Sequence, residues 1–197
     1  MSDADYEAAT REVLAELGNK PLLVFGYGSL LWKPGFDYTS RWPAQSFGWH
    51  RCFCMKLSRW RGSEEQPGLM MALEPGGMCR GELFGVAPGS EREQVEKLLR
   101  REIPFRRLRP AFRWITARDH EGCKRALTFY AGMRGEDNYV RLSIQEQAHM
   151  LARAAGHGGS GAGYLQQTIA RLKEVGLHDE YLWRLQKLVA AEIHGFD

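Results

Sequence analysis

The sequence predicts an α+β protein: a small mixed sheet, rich in hairpins, curls toward a partly closed barrel with packed helices, and the C-terminal part is helical. Three observations carry this expectation. Glycines stand inside the strand-like runs between residues 21 and 86, where glycine marks bends and bulges. Helical periodicity takes over after residue 143. The regular strand–helix alternation of a doubly wound sheet is absent. With 197 residues the chain suits one domain, or one domain with an elaboration. The expected division is a helical extension over 1–20 and a single domain over 21–197.

The elements follow from local pattern. Residues 4–17 read as a short amphipathic helix on Tyr6, Val13, Leu14 and Leu17, with Thr10 filling the gap, stopped by Gly18 and Asn19. Pro21–Phe25 is a buried strand that empties into Gly26-Tyr27-Gly28-Ser29. Residues 47–57 form a strand rich in aromatic and sulfur side chains. A polar loop over 62–68 precedes a strand over 69–73. Pro75-Gly76-Gly77 reads as a turn, and 78–86 as another strand. Ser90 and Glu93 fit a capping box opening a helix to about 102. On it Val95, Leu98, Leu99 and Glu102 follow the i, i+3, i+4, i+7 rule. Pro104 ends it. Phe112–Thr116 and Arg125–Tyr130 alternate as two strands joined through Asp119–Gly122. Ser143 and Glu146 mark a second capping box, whose helix runs to the glycine-rich segment 156–163. Tyr164–Val175 and about 179–193 are the last helices, the latter buried through Leu182, Leu185, Leu188 or Val189, and Ile193.

Composition excludes several function classes. Net charge is only +3, small for a nucleic-acid binder, and no aromatic platform accompanies the arginines. Arg51, Arg59, Arg61, Arg100, Arg101, Arg106, Arg107, Arg109 and Arg113 bias the middle of the chain toward positive charge. Most of them are expected to face solvent, and a basic cleft for an acidic small molecule would also use them. No apolar stretch approaches the roughly 20 residues needed to span a membrane. The first residues lack the basic and apolar regions of a secretory signal, so a cytoplasmic protein is expected. Cys52, Cys54, Cys79 and Cys123 have no zinc or redox spacing. No metal, cofactor, nucleic acid or membrane is therefore expected as a partner. A monomer is expected because no long apolar stripe is left over.

Two features suggest chemistry. In the Gly26–Ser29 loop, glycine permits close backbone approach and positive φ, and successive N–H groups can form a nest for an anion. Ser29 Oγ and Tyr27 would add a hydroxyl or a wall. The bland alternative is a tight corner with a surface serine. The loop is neither a P-loop nor a Rossmann fingerprint, and a serine nucleophile lacks its strand–turn–helix elbow. The second feature is Glu102, a glutamate on the apolar side of a helix. Burial and the helix dipole would both raise its proton affinity toward general acid/base use. Arg100 and Arg101 are expected on other faces. An Arg–Glu structural pair or a frayed last turn is the alternative. Segment 156–163 reads as a connector before Tyr164, and His157 has no partner in the local sequence.

These pieces resemble, in order, the ChaC-like gamma-glutamylcyclotransferases that act on glutathione. The resemblance is carried by Phe25-Gly26-Tyr27-Gly28-Ser29-Leu30-Leu31-Trp32-Lys33-Pro34-Gly35-Phe36 and by Gly48-Trp49-His50-Arg51-Cys52-Phe53-Cys54. It continues in Arg61-Gly62, Pro67-Gly68-Leu69, Leu73-Glu74-Pro75-Gly76-Gly77-Met78-Cys79-Arg80-Gly81, Leu99-Arg100-Arg101-Glu102, Gly158-Gly159-Ser160 and Tyr164-Leu165. It covers roughly residues 21 to 193. It implies cleavage of glutathione to 5-oxoproline and cysteinylglycine, with Glu102 as acid/base. Phe25, Gly26, Tyr27, Gly28, Ser29, Leu30 and Tyr164 would surround the substrate, and neither cofactor nor metal is implied. The chain departs from the family at Gly163, where an acidic residue is common, and at Ile103-Pro104-Phe105. The rival readings are a cyclotransferase for other gamma-glutamyl amines or amino acids, and a catalytically silent binding protein on the same fold.

Overall fold

The computed structural model describes residues 1–104 and 111–195. Phe105, Arg106, Arg107 and Arg109 lie outside the described residues. The chain forms two compact units, Met1–His50 with Pro75–Ala131, and Arg51–Glu74 with Gly132–Asp197.

The first unit holds a closed five-stranded barrel in the order β1-β3-β2-β4-β5. The strands are β1 (Leu23–Gly26), β2 (Ser40–Leu57), β3 (Gly68–Gly85), β4 (Phe112–Asp119) and β5 (Gly122–Phe129). β2 and β3 run on into the second unit with residues 51–57 and 68–74. β1 pairs antiparallel with β3, from Leu23↔Gly85 to Gly26↔Glu82, and parallel with β5 at Val24↔Leu127, which closes the sheet. The β4–β5 turn is pinned by the Asp119 carboxylate, which accepts from the amides of Glu121 (2.9 Å) and Gly122 (3.0 Å). Val24, Phe25, Leu83, Phe84 and Leu127 are fully buried.

Glycine makes the β1–β3 contact possible. A Cβ on Gly81 would stand 2.3 Å from the Gly26 carbonyl oxygen and 2.9 Å from the Phe25 ring. The internal glycines thus allow two backbones to approach, as the sequence pattern suggested.

In the first unit the helices α1 (Asp3–Leu17) and α2 (Glu91–Glu102) pack on each other. α1 begins with a capping box between Ser2 and Asp5. α2 buries Val95, Leu98 and Leu99 completely.

The second unit contains α3 (Ile144–Arg153), α4 (Gly161–Glu174) and α5 (Glu180–His194), each packed on the other two. A short hairpin, Ala155–Gly156 with Gly159–Ser160, separates α3 from α4. The Ser143–Glu146 capping box forms as expected. No helix among the described residues is long and apolar enough to cross a membrane.

Several expectations need correction. Pro75-Gly76-Gly77 does not reverse the chain. β3 passes through it as one strand, with Gly76 and Gly77 at φ +101° and +70°. The two positive-φ glycines bend the strand in place, which is the behaviour of a bulge. Ser90 does start α2, but with ψ near 2° its hydroxyl turns away from the helix and donates to the Ala87 carbonyl at 2.8 Å. The predicted capping box there is not made. α4 starts at Gly161, three residues before Tyr164, because Ser160 caps it by accepting from the Gly163 amide at 3.0 Å. Ile193 is exposed, while Val189 carries the buried stripe of α5. Arg51 does not face solvent. It is 3% exposed and paired at 2.6 Å with Asp179, the N-cap of α5.

Candidate active site

The site in the first unit is built by one loop and one helix end. β1 delivers Phe25 and Gly26, and a single 3-10 turn, Ser29–Leu31, follows at once. Gly26 needs to be glycine for space, since a Cβ would meet the Phe84 ring at 2.8 Å and the Leu30 side chain at 3.2 Å. Neither Gly26 nor Gly28 takes positive φ, and Gly28 has φ −128°. The expectation of a left-handed turn is replaced by close packing.

Burial then sorts the loop residues. Phe25, Gly26, Tyr27, Gly28 and Leu30 are buried, and Ser29 is half-buried. The Tyr27 hydroxyl donates at 2.9 Å to the Phe129 carbonyl, so its proton serves the barrel rather than a ligand. The Leu31 amide returns to the Gly28 carbonyl at 3.0 Å, and the Lys33 amide to the Ser29 carbonyl at 2.8 Å. The amides of Ser29 and Leu30, at the start of the turn, take no backbone carbonyl among the described residues. Such leading N–H groups are the ones a helical turn cannot satisfy internally.

Glu102 is the last residue of α2. Burying each of Val95, Leu98 and Leu99 contributes about 1.5–3 kcal/mol. A negative charge at a helix C-terminus costs about 0.3–1 kcal/mol. The stripe therefore wins and carries Glu102 in with it. Its side chain is 13% exposed. Burial raises its proton affinity above that of an ordinary glutamate, and the charge and hydrogen bond of Arg101 partly offset the rise.

Arg101 corrects the expectation that it points to another face. Its Nε lies 2.8 Å from Glu102 Oε1, and its Nη2 donates to Ser29 Oγ at 3.1 Å. Its Nη1 donates to the carbonyls of Lys33 and Pro34. Successive helical residues do not normally face each other. Here the long side chain turns back at the last turn because the loop offers its guanidinium three oxygens. Ser29 and Glu102 thus lie no farther apart than one guanidinium and two hydrogen bonds. Arg100 does point elsewhere, to Asp3 and Glu96 at 2.7 Å each and over the Tyr6 ring.

The backbone around Glu102 is held as well. The Tyr130 hydroxyl donates to the Glu102 carbonyl, and the buried Tyr6 hydroxyl donates to the Ile103 carbonyl at 3.1 Å. Tyr130 adopts φ +53°, a left-handed conformation uncommon outside glycine. Sequence reasoning missed Arg101 and Tyr130 as parts of the site. Arg101 carried a signal only in standing beside Glu102, and Tyr130 read as an ordinary strand end.

Tyr164 belongs to the second unit. It is 4% exposed in the first turn of α4, edge-to-face on Phe53 at 5.6 Å, with the Arg61 guanidinium 5.1 Å above its ring. His157 meets Trp60 edge-to-face at 4.7 Å. Among the described residues no three His, Cys, Asp or Glu side chains are placed to hold a metal ion.

The family model described as ChaC-like protein matches residues 22–192. The chain belongs to the ChaC-like family. A relative from Escherichia coli K12, named a glutathione-specific gamma-glutamylcyclotransferase, is 30% identical over 162 residues, 82% of this chain and 70% of that one. An Arabidopsis thaliana relative, gamma-glutamylcyclotransferase 2-1, is 28% identical over 181 residues, 87% of this chain and 83% of that one. The crystal structure of a yeast gamma-glutamylcyclotransferase specific to glutathione superposes with a TM-score of 0.77 at 20% identity, covering 90% of this chain and 99% of that one. At that identity the likeness speaks for the fold.

Proposed function

We propose that this ChaC-like protein is a gamma-glutamylcyclotransferase that cleaves glutathione to 5-oxoproline and cysteinylglycine. The observation that carries the reading is a nearly buried carboxylate of raised proton affinity, Glu102, tied through one guanidinium to the serine of a glycine loop. Relatives named glutathione-specific gamma-glutamylcyclotransferases, from Escherichia coli K12 and Danio rerio, support it.

The chemistry asks little of the protein. The substrate's α-amine attacks its own γ-carbonyl, so holding the glutamyl group folded supplies proximity. Glu102 takes a proton from the α-ammonium, which makes the amine nucleophilic. A C–N bond forms to the γ-carbon and closes the five-membered lactam. The bond to the cysteinyl nitrogen then breaks as Glu102 returns its proton to that nitrogen. The ring nitrogen gives up its second proton at the same stage, and the departing amine takes it up and leaves as an ammonium. No water is consumed, and the carboxylate ends as it began. A glutamate whose proton affinity is lifted toward neutrality suits both halves of this cycle. The leading amides of the 29–31 turn and Ser29 Oγ would hold either the α-carboxylate or the developing oxyanion. Phe25, Gly26, Tyr27, Gly28 and Leu30 form the loop behind them, and Tyr164 is assigned to the substrate through the family resemblance. The reading includes a monomer working in the cytoplasm without metal or cofactor.

The test is release of 5-oxoproline and cysteinylglycine from reduced glutathione, beside a panel of gamma-glutamyl amino acids. Release from glutathione supports the proposal. Release only from gamma-glutamyl amino acids replaces the substrate, and release from neither leaves a binding protein on this fold.

A further inference from the structure

Arg101 has a place in the site that goes beyond a local ion pair. A guanidinium carries five N–H donors. Four contacts are made here, to the Lys33 and Pro34 carbonyls, Ser29 Oγ and Glu102 Oε1. A group so fully engaged is poorly suited to take up a substrate. It is well suited to fix other groups in place, because its planar fork sets the directions of all its bonds at once. Gly35 supports this use. A Cβ there would stand 2.6 Å from Arg101 Nη1, and its φ of +71° already favours glycine. The loop is shaped around the guanidinium.

We propose that Arg101 is a positioning residue for the reaction, holding the Glu102 carboxylate and the Ser29 loop in register through one guanidinium. The inference rests on the reading of Glu102 as the base. Two consequences follow. Losing the fork loosens the acid/base and the loop together, so kcat falls more than KM rises. Losing the cation removes an influence that favours ionised Glu102, so the carboxylate holds its proton to higher pH. Among the described residues of the two helices, the other cations near this end are already engaged. From α2, Arg100 is engaged by Asp3 and Glu96, and Lys97 by Asp37 and Glu93. From α1 and the end of β5, the uncharged hydroxyls of Tyr6 and Tyr130 face backbone carbonyls.

The experiment is a pH profile of kcat/KM for 5-oxoproline release from glutathione by wild type, Arg101→Gln, Arg101→Lys, Gly35→Ala and Glu102→Gln. For Arg101→Gln the expected kcat loss is about 10²-fold, the scale of an ångström's misplacement. Its acidic limb should move to higher pH. Arg101→Lys, which keeps a charge but not the fork, should fall between it and wild type. Gly35→Ala should shift the limb in the same direction. A folded Arg101→Gln whose acidic limb coincides with that of wild type overturns the proposal. If Arg101→Gln does not fold, unshifted limbs in both Arg101→Lys and Gly35→Ala overturn it. An active Glu102→Gln instead overturns the assignment of the base, a different failure, because an unshifted limb with an inactive Glu102→Gln leaves that assignment standing.

Discussion

Glu102→Gln separates catalysis from folding. Glutamine keeps the volume of the side chain and an amide oxygen that can still accept from Arg101 Nε. It cannot accept the substrate's proton. The side chain is 13% exposed and holds its proton more tightly than an ordinary glutamate. A carboxyl whose proton affinity rises on folding binds more protons in the folded state over the interval between its unfolded and folded values. Stability therefore falls as pH rises through that interval, and at neutral pH the charge is a cost. Removing it also removes the unfavourable helix-end term of about 0.3–1 kcal/mol. The variant should be as stable as wild type or slightly more so at pH 8, and this advantage should shrink toward pH 4. Turnover should fall at least ~10²-fold, the usual scale for a general base. Glutathione binding should persist, because the 25–31 loop is untouched. The measurements are 5-oxoproline release, calorimetric affinity and thermal unfolding at the two pH values. A folded Glu102→Gln with near-normal release would refute the reasoning from helical spacing to chemistry.

Ser29→Ala removes the hydroxyl that receives Arg101 Nη2. It should weaken both glutathione affinity and turnover, by about 1–3 kcal/mol in total, read as KM and kcat with the same assay. Tyr27→Phe takes the donor from the Phe129 carbonyl inside the barrel. It should lower thermal stability by about 1–3 kcal/mol, while pH dependence of turnover stays as in wild type. Activity should survive exhaustive chelation, and loss with EDTA that a divalent ion restores would contradict a lactam closure needing no metal.

The sequence by itself determined most of the order of elements and the burial pattern of the glycine loop and of the helix that ends at Glu102. Val95, Leu98, Leu99 and Glu102 lie on one helical stripe whatever surrounds them, so burial of Glu102 was readable from periodicity. Gly26 and Gly81 announced close backbone approach because only glycine tolerates it. The Ser143–Glu146 box was local and formed as written. Other features depended on partners distant in sequence. Ser90 could cap α2 by its pattern, but its backbone angles were set by the preceding turn, and its hydroxyl went to Ala87. Pro75-Gly76-Gly77 has the composition of a reversal, yet pairing along β3 carried the strand through. Arg101 sits one residue from Glu102, where helix geometry directs it away. Only folding brought Ser29, Lys33 and Pro34, about seventy residues earlier, to where their oxygens could draw the guanidinium back. Periodicity sets which face of a helix is buried. Where a long flexible cation on that helix comes to rest is decided by the acceptors that tertiary structure places within its reach.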